Sequence, residues 1–84
     1  GGYGRGSAAI DHIALSASGF DEMRSLLEEK KLDWRQMDIP SLHLWQLFVH
    51  DPNGVLVELN FDARQEPPDS KGPDESKIYD PGNF

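Results

Sequence analysis

The sequence predicts an α+β fold built as a single β-α-β-β-β unit. Three observations carry this. Two apolar runs with strand-like composition frame the unit, Ile10-Asp11-His12-Ile13-Ala14-Leu15 and Val55-Leu56-Val57-Glu58-Leu59-Asn60-Phe61. Between them, Phe20, Met23, Leu26 and Leu27 recur at helical spacing. Asp51-Pro52-Asn53-Gly54 is a strong turn signal, because proline fixes φ and glycine tolerates positive φ.

Taken in order, Ile10 to Ser16 alternates and reads as the first strand. Ser18 is the expected N-cap of the helix, with Asp21 three residues later. Asp21, Glu22, Arg24, Glu28 and Glu29 form the polar face of that helix, and Lys30 and Lys31 sit at the negative end of its dipole. Asp33 to Ile39 reads as the second strand, closed by Pro40; Leu42 to His50 is the third and Val55 to Phe61 the fourth. The module is expected over residues 9–62, behind a flexible Gly-rich lead-in of residues 1–8. Residues 63–84 read as an acidic, Pro-rich and mostly irregular tail, since four of the six prolines lie there and few apolar residues offset the entropy of ordering it. The tail is expected to be mobile, or ordered only by docking Ile78, Tyr79 and Phe84 onto a neighbour.

The bulk composition excludes several classes. A chain of 84 residues is one small domain at most. It hides only about 60% of its unfolded surface and has no cysteine to staple it. The same absence rules out thiol catalysis, thiolate zinc sites and disulfides. No apolar run approaches the roughly 18 residues of a membrane span, and no secretory leader is visible, so a cytoplasmic location and no membrane partner are expected. The net charge of −7 without a Lys/Arg stripe argues against nucleic acid.

Side chains alternate along a strand. Ile13 and Leu15 therefore share one face with the expectation that Val55, Val57, Leu59 and Phe61 join them beneath the helix. His12 and Glu58 then point to the opposite, open face, together with Ala14, Leu56 and Asn60. A metal-competent group inside each of two apolar strands suggests half of a metal site, provided the first and fourth strands are neighbours. Taken singly, His12 reads as a hydrogen-bonded strand residue and Glu58 as a solvated carboxylate. Trp34 and Trp45 read as packing residues, and His43 and His50 as solvent-facing.

This arrangement resembles one module of the vicinal oxygen chelate superfamily, the glyoxalase/bleomycin-resistance/extradiol-dioxygenase group. The resemblance rests on Asp11-His12-Ile13-Ala14-Leu15, the helix that follows, and Leu47-Phe48-Val49-His50-Asp51-Pro52-Asn53-Gly54-Val55-Leu56-Val57-Glu58-Leu59. It implies an antiparallel-rich mixed sheet forming half of a cup, with the one helix packed on the other face. Two such modules pair around a divalent metal in that family. His12 falls on the family's first-strand ligand and Glu58 on its last-strand ligand, and imidazole plus carboxylate suits Ni, Zn, Mn or Fe(II). The missing half of the site is expected from a second βαβββ module, either another copy in a homodimer or an N-terminal half of a longer protein.

The resemblance further implies a metal-dependent lyase, isomerase or dioxygenase that stabilises an oxyanion of a small oxygenated substrate, with Glu58 as the catalytic proton-moving carboxylate. Gln46, Phe48 and Leu56 are the candidate substrate-binding residues. A one-residue offset at the turn puts Gln46 and Phe48 on the cup face, whereas a plain four-residue hairpin presents Trp45 and Leu47. Extradiol dioxygenases and fosfomycin thiol-transferases resemble each other in carrying a tyrosine where this chain has Phe48, which weakens both readings. The alternatives are a metal-free small-molecule binder like the bleomycin-resistance relatives, and a module that mainly dimerises.

Overall fold

The computed structural model describes residues 12–82 and 84; the Gly-rich lead-in and the first two residues of the expected first strand, Ile10 and Asp11, lie outside the described residues. The elements are β1 (His12–Ala17), α1 (Phe20–Glu29), β2 (Trp34–Ile39), β3 (Leu44–His50) and β4 (Leu56–Asp62), with single 3-10 turns at Pro40–Leu42 and Ala63–Gln65. The four strands form one open mixed sheet in the order β1-β4-β3-β2. β1 runs parallel to β4, and the other two pairings are antiparallel. This is the expected α+β class, with the helix on one face only.

The core lies between α1 and the sheet. Phe20 and Leu27 pack with Trp34, Leu47 and Phe61, all buried, and with Met23 and Leu59 at the margin. Phe20 meets Phe61 edge-on at 5.2 Å and Trp45 at 5.4 Å, the T-shaped geometry that aromatic quadrupoles favour. Trp34 and Trp45 are packing residues, as their composition suggests. Ile13 and Leu15 do point to the helix side, but they remain 38% and 50% exposed. The buried strand residues under α1 come from β2, β3 and β4, and the edge strand β1 adds only Ala17 at its end.

The start of α1 differs from the expected Ser18 cap. Gly19 is the N-cap, with φ of 82° and no side-chain cap of its own. The buried Glu66 carboxylate takes that role from 46 residues away, accepting from Gly19 N–H at 3.0 Å and Phe20 N–H at 2.8 Å. An acid at the positive end of the helix dipole is favourable, and burial is offset because both oxygens are satisfied.

The tail packs on its own module. Asp21 accepts from Ser70 Oγ, Lys71 N–H and Gly72 N–H. Gly72 presses against the Trp45 ring so closely that an added Cβ would lie 2.9 Å from Cζ2, and its φ is 64°. Gln36, completely buried on the helix side of β2, accepts from Arg24 at 3.0 Å and donates to Asp74 Oδ1 at 2.8 Å and the Ser76 carbonyl at 2.6 Å. The backbone of Gln36 then receives Tyr79 N–H and donates to the Lys77 carbonyl, so residues 77–79 run along the outer edge of β2. From there the chain reaches the open face, where Tyr79 stacks on Phe48 with ring centroids 3.8 Å apart. Phe84 packs against His50, and its carbonyl accepts from Arg35.

Candidate functional site

The open face is organised by register. On β4 the residues Leu56, Glu58 and Asn60 point the same way, and they pair with His12, Ala14 and Ser16 of β1 on one side. On the other side they pair with His50, Phe48 and Gln46 of β3. The connection from His50 to Leu56 has five residues, 51–55, held by Asp51 N–H to the Val55 carbonyl and by Asp51 Oδ1, which accepts from Asn53 and Val55. That odd loop length supplies the offset left open by the sequence: Gln46 and Phe48 lie on the open face, and Trp45 and Leu47 face the helix.

Because β1 and β4 are parallel neighbours, His12 is one diagonal step from Glu58. His12 Nε2 lies 3.0 Å from Glu58 Oε1. The imidazole is half exposed at 47%, whereas the carboxylate is 18% exposed. The other carboxylate oxygen, Oε2, accepts from Gln46 Nε2 at 3.1 Å and from Asn60 Nδ2 at 2.8 Å. Gln46 Nε2 also donates to Asn60 Oδ1 at 2.9 Å, closing the three side chains into one network.

The donor set fits half of a divalent metal site. Imidazole and carboxylate are both ligands that divalent first-row ions accept, and His12 Nε2 and Glu58 Oε1 stand at the 3.0 Å of a hydrogen bond. Among the described residues no third His, Asp or Glu joins them. His43 ends the 3-10 turn in a left-handed conformation, and His50 leans on Phe84.

The other candidate residues are placed unequally. Gln46 touches Glu58 directly, and Leu56 sits in register with His12 on the open face. Phe48 stands opposite Glu58 but is only 3% exposed, because Tyr79 covers it. The sequence put Asn60 on the open face with no role beside Glu58, and Tyr79 in a docking segment with no link to Phe48. The first had a signal, since it shares the parity of Glu58; the second had none, since nothing local links residue 79 to residue 48.

Comparison with family models, curated proteins and solved structures returns no match for this chain. No helix among the described residues is long and apolar enough to cross a membrane.

Proposed function

We propose that the chain is a vicinal-oxygen-chelate-like half-module, in which His12 and Glu58 supply two ligands of a divalent transition-metal site completed by a second module. The single observation that carries the reading is the 3.0 Å approach of imidazole and carboxylate on neighbouring strands of an open sheet face. The strand order and the solvent-facing β1 edge support it, since both leave the β1–β4 half of the face free to meet a partner module. A second copy of this chain is the simplest partner, because a two-fold axis duplicates His12 and Glu58 into a four-ligand set.

A bound Ni, Zn, Mn or Fe(II) ion supplies Lewis-acid stabilisation of a substrate oxyanion. The chain's own residues orient that chemistry. His12 and Glu58 would hold the ion, and Leu56 would lend an apolar wall. The proposed activity is of the lyase, isomerase or dioxygenase type, located in the cytoplasm. A second reading, a metal-free small-molecule binder, is favoured by one observation: His12, Gln46 and Asn60 satisfy both oxygens of the Glu58 carboxylate by hydrogen bonds.

Native mass by light scattering, with metal content on the same sample, separates the two. A dimer with about one metal per two chains supports the shared site. A species that excludes Zn²⁺ and Ni²⁺ at millimolar concentration overturns it and leaves the metal-free binder.

A further inference from the structure

We infer that Gln46 and Asn60 are positioning residues that dedicate a single oxygen of Glu58 to the metal and thereby select small transition ions over Ca²⁺; this rests on the metal-site reading above.

The Glu58 carboxylate is divided by its surroundings. Oε2 is taken by two amide donors at 2.8 and 3.1 Å, while Oε1 faces His12 alone. The amides are themselves fixed in orientation. Gln46 Nε2 donates to two acceptors, Glu58 Oε2 and Asn60 Oδ1, so turning the Gln46 amide over would set its oxygen against both. Asn60 Nδ2 must likewise face Glu58, because its oxygen is committed to Gln46. All three side chains rise from the same face of two paired strands, with Gln46 and Asn60 as register partners, so the backbone ladder fixes their separation. The carboxylate therefore cannot rotate to offer both oxygens without breaking two hydrogen bonds.

One oxygen plus one imidazole nitrogen is a poor start for Ca²⁺, which takes six to eight oxygen ligands and often uses carboxylates in bidentate fashion. It suits first-row transition ions, for which imidazole is a good ligand. Hydrogen-bonding partners of this kind are commonly worth about 10- to 100-fold in metal affinity. The amide pair is in this sense a selectivity device outside the ligand set.

The test uses the full chain and four variants, Gln46→Ala, Gln46→Met, Asn60→Ala and His12→Ala. Zn²⁺ and Ca²⁺ titrations by calorimetry give the affinity ratio, and side-chain amide NMR without metal reports the network. Gln46→Met keeps the shape of the side chain and removes the donor, so it stands in should Gln46→Ala fold poorly. The expected result is about a tenfold loss of Zn²⁺ affinity in the Gln46 and Asn60 variants, with a narrowed Zn²⁺/Ca²⁺ ratio. A purely structural role would lower the melting temperature and leave that ratio unchanged, which would overturn the inference. The metal reading fails separately: Zn²⁺ binding unaltered by His12→Ala puts the ion elsewhere and overturns both, even where the NMR signals show the Gln46–Asn60–Glu58 network intact.

Discussion

Gln36 and Tyr79 are joined through the backbone, Tyr79 N–H donating to the Gln36 carbonyl at 2.9 Å, while the Gln36 side chain is buried beneath the tail on the other side of the sheet. One residue thus clamps the tail on the helix side, and its own peptide clamps it along the β2 edge. A buried amide that loses its partners, or a shape-matched apolar residue that leaves those partners unpaired, costs the desolvation of each stranded group. Gln36→Leu is expected to destabilise the fold by about 2–3 kcal/mol in urea denaturation, and limited proteolysis should then cut between residues 73 and 79. An unchanged midpoint together with an uncut tail would show that the clamp is dispensable.

The tail is also tied by carboxylates, which gives it a pH dependence. For Asp21, burial pushes the pKa up, but the hydrogen bonds from Lys71, Ser70 and Gly72 and the nearby Arg24 charge outweigh it and hold the group below its ordinary value. Asp74 is likewise held low, by the Ser76 hydroxyl first and then by the Ser76 N–H, against a small opposing effect of desolvation, with Gln36 and Arg24 adding to the lowering. A group whose folded pKa is depressed stabilises the fold above its unfolded pKa and loses that contribution as pH falls through the folded value. Docking should therefore be insensitive to pH from neutrality down to about 4 and weaken below it. The Trp45 indole signal, which senses Gly72, should move over that acid range in NMR, and Asp21→Asn should show part of the same shift at pH 7. A Trp45 signal constant to pH 2.5 would contradict this coupling.

The metal-site reading makes its own prediction. Zn²⁺ at a hundredfold excess over its dissociation constant raises the stability of a native-state binder by about 2.7 kcal/mol. His12→Ala and Glu58→Gln should each abolish that gain in thermal unfolding. Without metal the two variants should differ from the parent by about 1 kcal/mol or less, because the His12 side of the pair is half exposed and such pairs contribute little. A full Zn²⁺ gain in either variant would sink the assignment of that residue.

Much of this architecture was legible locally. The alternation in Val55 to Phe61 and the helical spacing of Phe20, Met23 and Leu27 identify β4 and α1, because each pattern is set by the one face that must be buried. Parity alone put His12 and Glu58 on a common face. What stayed hidden depended on partners far along the chain. Glu66 caps the helix 46 residues upstream of it in sequence, and no property of residues 63–66 announces that. The face of Gln46 hung on whether the turn held four or five residues, since a one-residue slip reverses every side chain of a strand. The exposure of Ile13 and Leu15 followed from the footprint of the helix, which periodicity does not give.

The Tyr79–Phe48 stack closes one end of the open face, beside the candidate site. Phe48 is the register partner of Glu58, so the ring that Tyr79 covers is the apolar neighbour of that carboxylate. Removing the Tyr79 ring forfeits a close stack worth about 0.5–1.5 kcal/mol beyond the area it buries. It also bares Phe48, which is 3% exposed in the docked state. Tyr79→Ala is expected to lower stability by about 2 kcal/mol and to increase binding of a hydrophobic fluorescent dye at neutral pH, while Tyr79→Phe, which keeps the ring, should do neither. Because Glu58 is held from Gln46, Asn60 and His12 and not from Tyr79, the alanine variant should keep the side-chain amide NMR signals of Gln46 and Asn60 near their parental positions. Dye binding equal to that of the parent would mean that Phe48 is covered by something other than the tail, and shifted amide signals would mean that the tail and the Glu58 network are coupled through the Phe48 strand.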